Sequence, residues 1–150
     1  MKKVNPKFVS ALKEVVNTSP YPHHMKMSLA EISFDHAQID MELDKCHLQP
    51  YGIVHGGVIA TLIDTATFWA GFLRLPEDAG LVNVDLKLNY LAPVVNGRLR
   101  AEGICIRPGK TISYAEARVF DQSETLIAHG TSSLMALPGK AMAMDQPKFL

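Results

Sequence analysis

Residues 54–75, VHGGVIATLIDTATFWAGFLRL, constrain the fold more than any other stretch of the chain. Between His55 and Arg74 the run carries a single charge, Asp64, and its other residues are apolar, small or hydroxylated. A glycine pair opens it, Ala, Thr and Leu continue it, and Gly71 with Leu75-Pro76 closes it. The pattern predicts one long helix that is apolar on nearly all sides. Such a helix has to be wrapped. Lipid could wrap a run of roughly 20 apolar residues, but this one is too short without its polar ends and holds a carboxylate at its centre. The expectation is a core helix of a soluble protein, with no membrane partner. A lone carboxylate there is costly to desolvate unless its surroundings are arranged for it, which makes Asp64 the first candidate functional residue.

The chain has 150 residues, enough for one domain to bury a real core without staples. Lys plus Arg and Asp plus Glu number 15 each, so the net charge is zero and no basic field is available to hold a nucleic-acid backbone. Cys46 and Cys105 lie far apart and form no C-x-x-C pair, as structural thiols in a reducing compartment would. Pro6, Lys7, Lys13 and Glu14 interrupt the N-terminal stretch, so no signal-peptide core is expected and the reading is cytoplasmic.

Asn5 followed by Pro6 predicts a helix cap and first turn, and Phe8, Leu12, Val15 and Val16 recur on one face of a short helix over about residues 5–17. Ser19-Pro20-Tyr21-Pro22 should end it, because a residue before proline is driven out of the helical region. A loop through His23 and His24 is expected next. Met27 and Leu29, then Ile32 and Phe34 on the other parity, predict a strand with a bulge near Ala30. Ala37, Ile39, Met41 and Leu43 alternate with polar residues in a second strand joined to the first at Asp35-His36, and Lys45 to Tyr51 reads as a loop. After the central run, Val82, Val84, Leu86, Leu88 and Tyr90 mark one long strand. Three more are expected at Arg98–Arg107, Thr111–Phe120 and Thr125–Met135, with turns at Pro108-Gly109 and Asp121-Gln122-Ser123. The tail 138–150 has no clear period. The reading is α+β: a single domain over 1–150, with a core of about residues 20–136. Its antiparallel sheet of about six strands packs one face on the central helix.

The stretch Gly52-Ile53-Val54-His55-Gly56-Gly57 places unpaired backbone N–H groups at a helix N-terminus, with no side chain on Gly56 or Gly57 to block a ligand. That is a possible oxyanion site, although two glycines can equally serve a sharp turn. Asp64 reads as general base or nucleophile. His55 is assigned a supporting role in holding the turn. Gln49 can donate two N–H bonds toward a carbonyl or be a solvated loop residue. The remaining histidines make no metal-ligand spacing, and no metal or cofactor is expected. No G-x-S-x-G, Walker sequence or G-x-G-x-x-G occurs. Arg107, Lys110 and Thr111 form a basic hairpin tip that could meet a phosphate or be solvated. Phe68, Trp69 and Phe72 would make an apolar pocket for a ring or an aliphatic chain.

The arrangement resembles the hotdog-fold acyl-CoA thioesterases of the hydroxybenzoyl-CoA and phenylacetate-pathway type. The likeness is carried by Gln49-Pro50-Tyr51-Gly52-Ile53-Val54-His55-Gly56-Gly57 leading to Asp64, by Val84-Asp85-Leu86-Lys87-Leu88-Asn89-Tyr90-Leu91-Ala92-Pro93, and by Pro108-Gly109-Lys110-Thr111. It implies a sheet curled around the long helix, a homodimer or dimer of dimers, and hydrolysis of a fatty or aromatic acyl-CoA without metal. By position, Asp64 resembles the catalytic carboxylate, Gly56 the backbone donor to the thioester oxygen, and Gln49 the side-chain donor. Asn83 falls where some relatives carry Ser or Thr to orient water. Hotdog hydratases and dehydratases resemble sequences with D-x-N-P-x-H or H-F-x-G, absent here. A non-catalytic acyl-CoA sensor would need a DNA-binding segment, and the roughly 20 residues before Tyr21 are too few for a helix-turn-helix.

Gly56 and Asp64 are separated on one helix by a rise of roughly 12 Å, yet a thioester carbonyl must lie about 3 Å from both its donor and its attacker. One chain can hardly do both. The expectation is a two-fold dimer with antiparallel central helices and two shared sites.

Overall fold

His55 starts the central helix, α3 (Gly56–Phe72), by extended backbone and by its ring, whose Nδ1 accepts the Gly57 N–H at 2.8 Å. In the computed structural model, which describes residues 2–150, ten of the 17 residues of α3 are buried. The sheet that buries them is built from β1 (Met27–Ser33), β2 (His36–Glu42), β3 (Ala79–Asn83), β4 (Lys87–Tyr90), β5 (Arg98–Arg107), β6 (Ile112–Asp121) and β7 (Leu126–Pro138). All its pairings are antiparallel, in the order β1-β2-β5-β6-β7-β3, with β4 also on β7. This is the hotdog fold. No helix among the described residues is long and apolar enough to cross a membrane.

The sheet floor beneath α3 is made of small residues. Ala101, Ala115 and Ala117 are fully buried, and a Cβ on Gly103 would lie 2.1 Å from the Ala66 carbonyl oxygen. The helix therefore rests almost directly on the backbone of β5. Its opposite side is less covered than an all-round apolar helix predicts. Gly57, Ala60, Thr61, Asp64, Thr65 and Phe68 recur at three- and four-residue intervals as its least buried stripe.

The bulge expected near Ala30 is present, as the β1–β2 register shifts between Leu29 and Glu31. Two other expectations need correction. The single strand over Val82 to Tyr90 is split, which gives seven strands where about six were expected. Asn83 pairs with Leu134 but Lys87 with Thr131, so one extra residue is accommodated between them. At the break the Asp85 carboxylate accepts the Ser133 N–H at 2.6 Å, displacing the backbone oxygen that would otherwise continue the ladder. The expected loop at Pro20 is a short helix, α2 (Pro20–His24), which follows α1 (Pro6–Thr18) directly. Pro20 and Pro22 sit in its first turn, where a missing N–H costs nothing.

The tail packs back on the body. Lys148 is 4% exposed, and its Nζ donates to the Leu75 and Pro76 carbonyls at 3.2 Å each, with the Phe72 ring 4.5 Å away. Burial pushes this ammonium down to about 8, against the opposing pull of Glu77 and Asp78 and with some help from Lys2. The folded-state value lies below the ordinary value of about 10.4, so burying the charge costs stability at neutral pH and the cost fades as pH rises from 8 toward 10. Wild-type stability, measured by denaturant unfolding relative to Lys148→Met, should rise by on the order of 2 kcal/mol between pH 7.5 and 10. A flat difference would mean that the amine is solvated.

Candidate active site

Two clusters lie along α3, one at its N-terminus and one at its midpoint. The first is held by the turn before the helix. Gln49 N–H donates to the Ile53 carbonyl at 2.8 Å and Gly52 N–H to the Gln49 carbonyl at 2.9 Å. Gly52 sits at φ 79°, which glycine adopts without strain. His47, fully buried, anchors the same turn: its Nδ1 accepts the Asp44 N–H at 2.9 Å, so Nε2 is the donor to the Met25 carbonyl at 2.8 Å.

In this cluster His55 Nδ1 occupies the Gly57 N–H, whereas the Gly56 N–H finds no acceptor among the described residues. The Gln49 side-chain oxygen accepts the Tyr51 N–H, which leaves the two Nε2 hydrogens to donate elsewhere. Tyr90 Oη donates to the Gly56 carbonyl at 3.2 Å, and a Cβ on Gly56 would lie 2.7 Å from that oxygen. Any side chain at 56 would displace Tyr90. Gln49, Gly56, Ile59, Tyr90, Val94 and Ile127 are among the walls of a cavity of about 460 Å³.

The second cluster surrounds Asp64, which opens into a different cavity, of about 360 Å³, with Tyr21, Gly57, Ala60, Thr61, Thr65 and Leu86. No donor among the described residues reaches its carboxylate oxygens, and no cation pairs with it. Desolvation by burial raises its pKa above the ordinary carboxylate range. The backbone below is braced instead. Asn83 Nδ2 donates toward the Asp64 carbonyl at 3.2 Å and lies 3.3 Å from both Thr67 Oγ1 and Ser132 Oγ. Thr67 Oγ1 reaches the Ile63 and Asp64 carbonyls at 2.8 and 2.9 Å. Asn83 thus holds the main chain at Asp64, and only its Oδ1, free of any donor among the described residues, could meet a water.

The structure therefore joins Gln49 and Gly56 at one cavity, with His55 beside them as the cap of the helix but not in the cavity wall, and Asp64 with Gly57 at another. Arg107, Lys110 and Thr111 stand apart, exposed at the β5–β6 tip, with no carboxylate among the described residues paired to either cation. The apolar pocket expected from Phe68, Trp69 and Phe72 needs correction: Trp69 and Phe72 are 8% and 4% exposed within the core. Phe68 packs on both rings, at 4.8 and 6.2 Å between centroids, and keeps an edge on the open stripe. The sequence patterning assigns no site role to Tyr21, Tyr90, Thr67 or Ser132, although Tyr90 stands in a stretch that carries the resemblance. Tyr90 lies within an alternating strand and Thr67 in an apolar helix, where packing explains either residue. The one available signal was a tyrosine flanked by two prolines.

The family model of the thioesterase superfamily matches residues 51–128 of this chain. A curated Haemophilus influenzae protein is 33% identical over 89 residues, 59% of this chain and 64% of that one. The proofreading thioesterase EntH of Klebsiella pneumoniae is 31% identical over 85 residues, 57% of this chain and 62% of that one. The chain thus spans somewhat less than two thirds of the length of these relatives. Among solved structures, the thioesterase HI1161 of Haemophilus influenzae superposes with a TM-score of 0.83 at 23% identity, covering 96% of this chain and 100% of its own.

Proposed function

The chain belongs to the thioesterase superfamily, and from that premise we propose that it hydrolyses a fatty or aromatic acyl-CoA to the free acid and CoA. The observation that carries the reading is Asp64: a half-buried carboxylate with no cation and no donor among the described residues, opening into a cavity on the uncovered stripe of α3. A structural carboxylate would be paired. One held ready for a substrate need not be.

In this reading the thioester oxygen takes the Gly56 N–H and the Gln49 amide, and His55 keeps Gly56 aimed outward by binding the neighbouring N–H. Asp64 takes a proton from water as the water oxygen attacks the carbonyl carbon, and the C–S bond breaks to release the CoA thiolate, which is then protonated. Alternatively, the carboxylate oxygen attacks the carbonyl carbon, the C–S bond breaks to release the CoA thiolate, which is protonated, and water then opens the resulting anhydride to the free acid and the Asp64 carboxylate. In a single turnover in ¹⁸O-water the first route labels only the released acid, whereas label found in the Asp64 carboxylate requires the second, with water opening the anhydride at the aspartyl carbonyl. Neither route draws on a metal or a cofactor.

The two clusters open into separate cavities of one chain, which favours a dimer in which Gly56 and Gln49 of one subunit face Asp64 of the other. The open stripe of α3 supplies the contact surface. A dimer of dimers would leave that pairing intact.

A panel of acyl-CoA thioesters assayed by thiol release tests the function. Hydrolysis of at least one acyl class is expected, and binding without hydrolysis across the panel would assign a carrier instead. Arg107 and Lys110, exposed at the hairpin tip and without a carboxylate partner among the described residues, are proposed to meet the CoA phosphates. Replacing both by Ala should raise KM for acyl-CoA several-fold, more at low salt, with little change for a truncated thioester lacking the nucleotide. Equal losses on both substrates would remove these residues from the site.

A further inference from the structure

The open stripe of α3 is not bare along its whole length. The Tyr21 hydroxyl lies 2.7 Å from Thr61 Oγ1, across 40 residues of sequence. Thr61 is three residues before Asp64 and on the same helix face. Tyr21, Thr61 and Asp64 together line the cavity of about 360 Å³. A segment ahead of residues 51–128, the part matched by the family model, thus supplies a wall of the cavity that holds the carboxylate.

That wall is fixed in place rather than draped over the site. Phe8, Leu12 and Val16 bury one face of α1 in the core. The Asn17 side-chain oxygen accepts the Leu29 N–H at 2.7 Å and ties the end of α1 to β1. His23 N–H donates to Ser19, and Met25 N–H to Tyr21, at 3.0 and 2.9 Å. Pro20 and Pro22 flank Tyr21 with fixed φ, which removes backbone freedom that would otherwise have to be lost on ordering. The ring is nonetheless 53% exposed, so the core does not require its bulk. A large aromatic held by its tip beside a reactive carboxylate and left half in solvent has a surface available to a ligand.

We propose that Tyr21 is a specificity-determining residue: its phenol, tethered to Thr61, walls the Asp64 cavity and limits the size of the acyl group that enters. The inference rests on reading that cavity as the thioester site. Removing the ring would open this wall, leaving Leu86 as the other bulky apolar side chain that lines the cavity among the described residues. Removing the hydroxyl alone would free the ring to swing and relax the limit less. Because one methylene in an apolar pocket changes kcat/KM by about 10-fold or more, the effect should be measurable as a ratio between substrates.

The test compares wild type, Tyr21→Phe and Tyr21→Ala on straight-chain acyl-CoAs of increasing length and on aryl acyl-CoAs, with the oligomeric state followed by light scattering. Tyr21→Ala should raise the ratio of kcat/KM for long over short chains by about 10-fold or more. Tyr21→Phe should move the ratio in the same direction by a smaller factor, with assembly unchanged in both variants. A common loss factor on every substrate, an unchanged ratio, or dissociation of the variants would each overturn the proposal and make Tyr21 a structural or interface residue. Wild type that hydrolyses no thioester would overturn the enzymatic reading and this inference with it. Wild type that hydrolyses thioesters, with variants that keep its profile, would overturn this inference alone.

Discussion

Asp64→Asn should lower kcat by about 10²–10⁴, leave KM within a few-fold of wild type, and hold or raise the melting temperature. The amide keeps the shape of the side chain and removes its charge, so the cavity still receives substrate while the proton acceptor is lost. The stability effect has a definite sign. Burial raises the folded-state pKa of Asp64, so the ionised carboxylate is less welcome in the folded chain than in the unfolded one. That cost is fully present above the folded-state value and disappears as pH falls below the ordinary value. At neutral pH the asparagine removes it. The same shift places the acid limb of the kcat/KM profile above the pH where a solvated aspartate titrates, about 3.9. Near-normal turnover in the variant would take Asp64 out of the reaction. Lost turnover with a melting temperature many degrees lower would make its role one of folding.

Mixing two inactive variants should restore activity. If the thioester lies between Gly56 and Gln49 of one subunit and Asp64 of the other, Gln49→Ala and Asp64→Ala each damage both sites of a homodimer. A mixed dimer concentrates both lesions in one site and leaves the second complete. Co-expressed or refolded together, the two chains should give mixed dimers with activity approaching half that of wild type, against parents reduced by factors of about 10² or more. Verified mixed dimers as inactive as their parents would place the whole site within one chain. The separation of the two clusters supplies the reason for expecting otherwise: eight residues of helix set them roughly 12 Å apart.

Much of this architecture was legible because it rests on periodicity and on turn chemistry. The alternation in β5, β6 and β7, the Asn5 cap of α1 and the extra residue at Ala30 all leave marks in a single sequence. The break between β3 and β4 leaves none, because Val84 and Leu86 keep the alternation through it while Asp85 takes a partner 48 residues away. The helix at Pro20 was misread for a related reason. Proline disfavours the helical conformation in the residue before it, yet suits the first turn of a helix, and here the second effect prevails, since Tyr21 is helical immediately before Pro22. In the site, Asp64 stood out by its charge in an apolar run. Tyr90 and Tyr21 did not, because their importance lies in Gly56 and Thr61, which are distant in sequence. The aromatic pocket failed because Phe68, Trp69 and Phe72 share an arc of about 100° on the helix, and that arc turns from the open stripe at Phe68 toward the core, a direction the spacing alone does not give. Two of them went into the core.

Gly103 has no functional group and lies under the sheet side of α3, away from its open stripe, yet it sets the height of the helix. With a Cβ 2.1 Å from the Ala66 carbonyl, even alanine there must lift α3 off the sheet, and Asp64 lies only two residues away. In the proposed two-fold dimer every such lift would occur in both subunits, so an error of alignment would be counted twice where the helices are proposed to face each other. In the proposed shared site, the clearance under one strand would thereby become the tolerance of the whole arrangement, and a position with no functional group would be among those with the least room to vary.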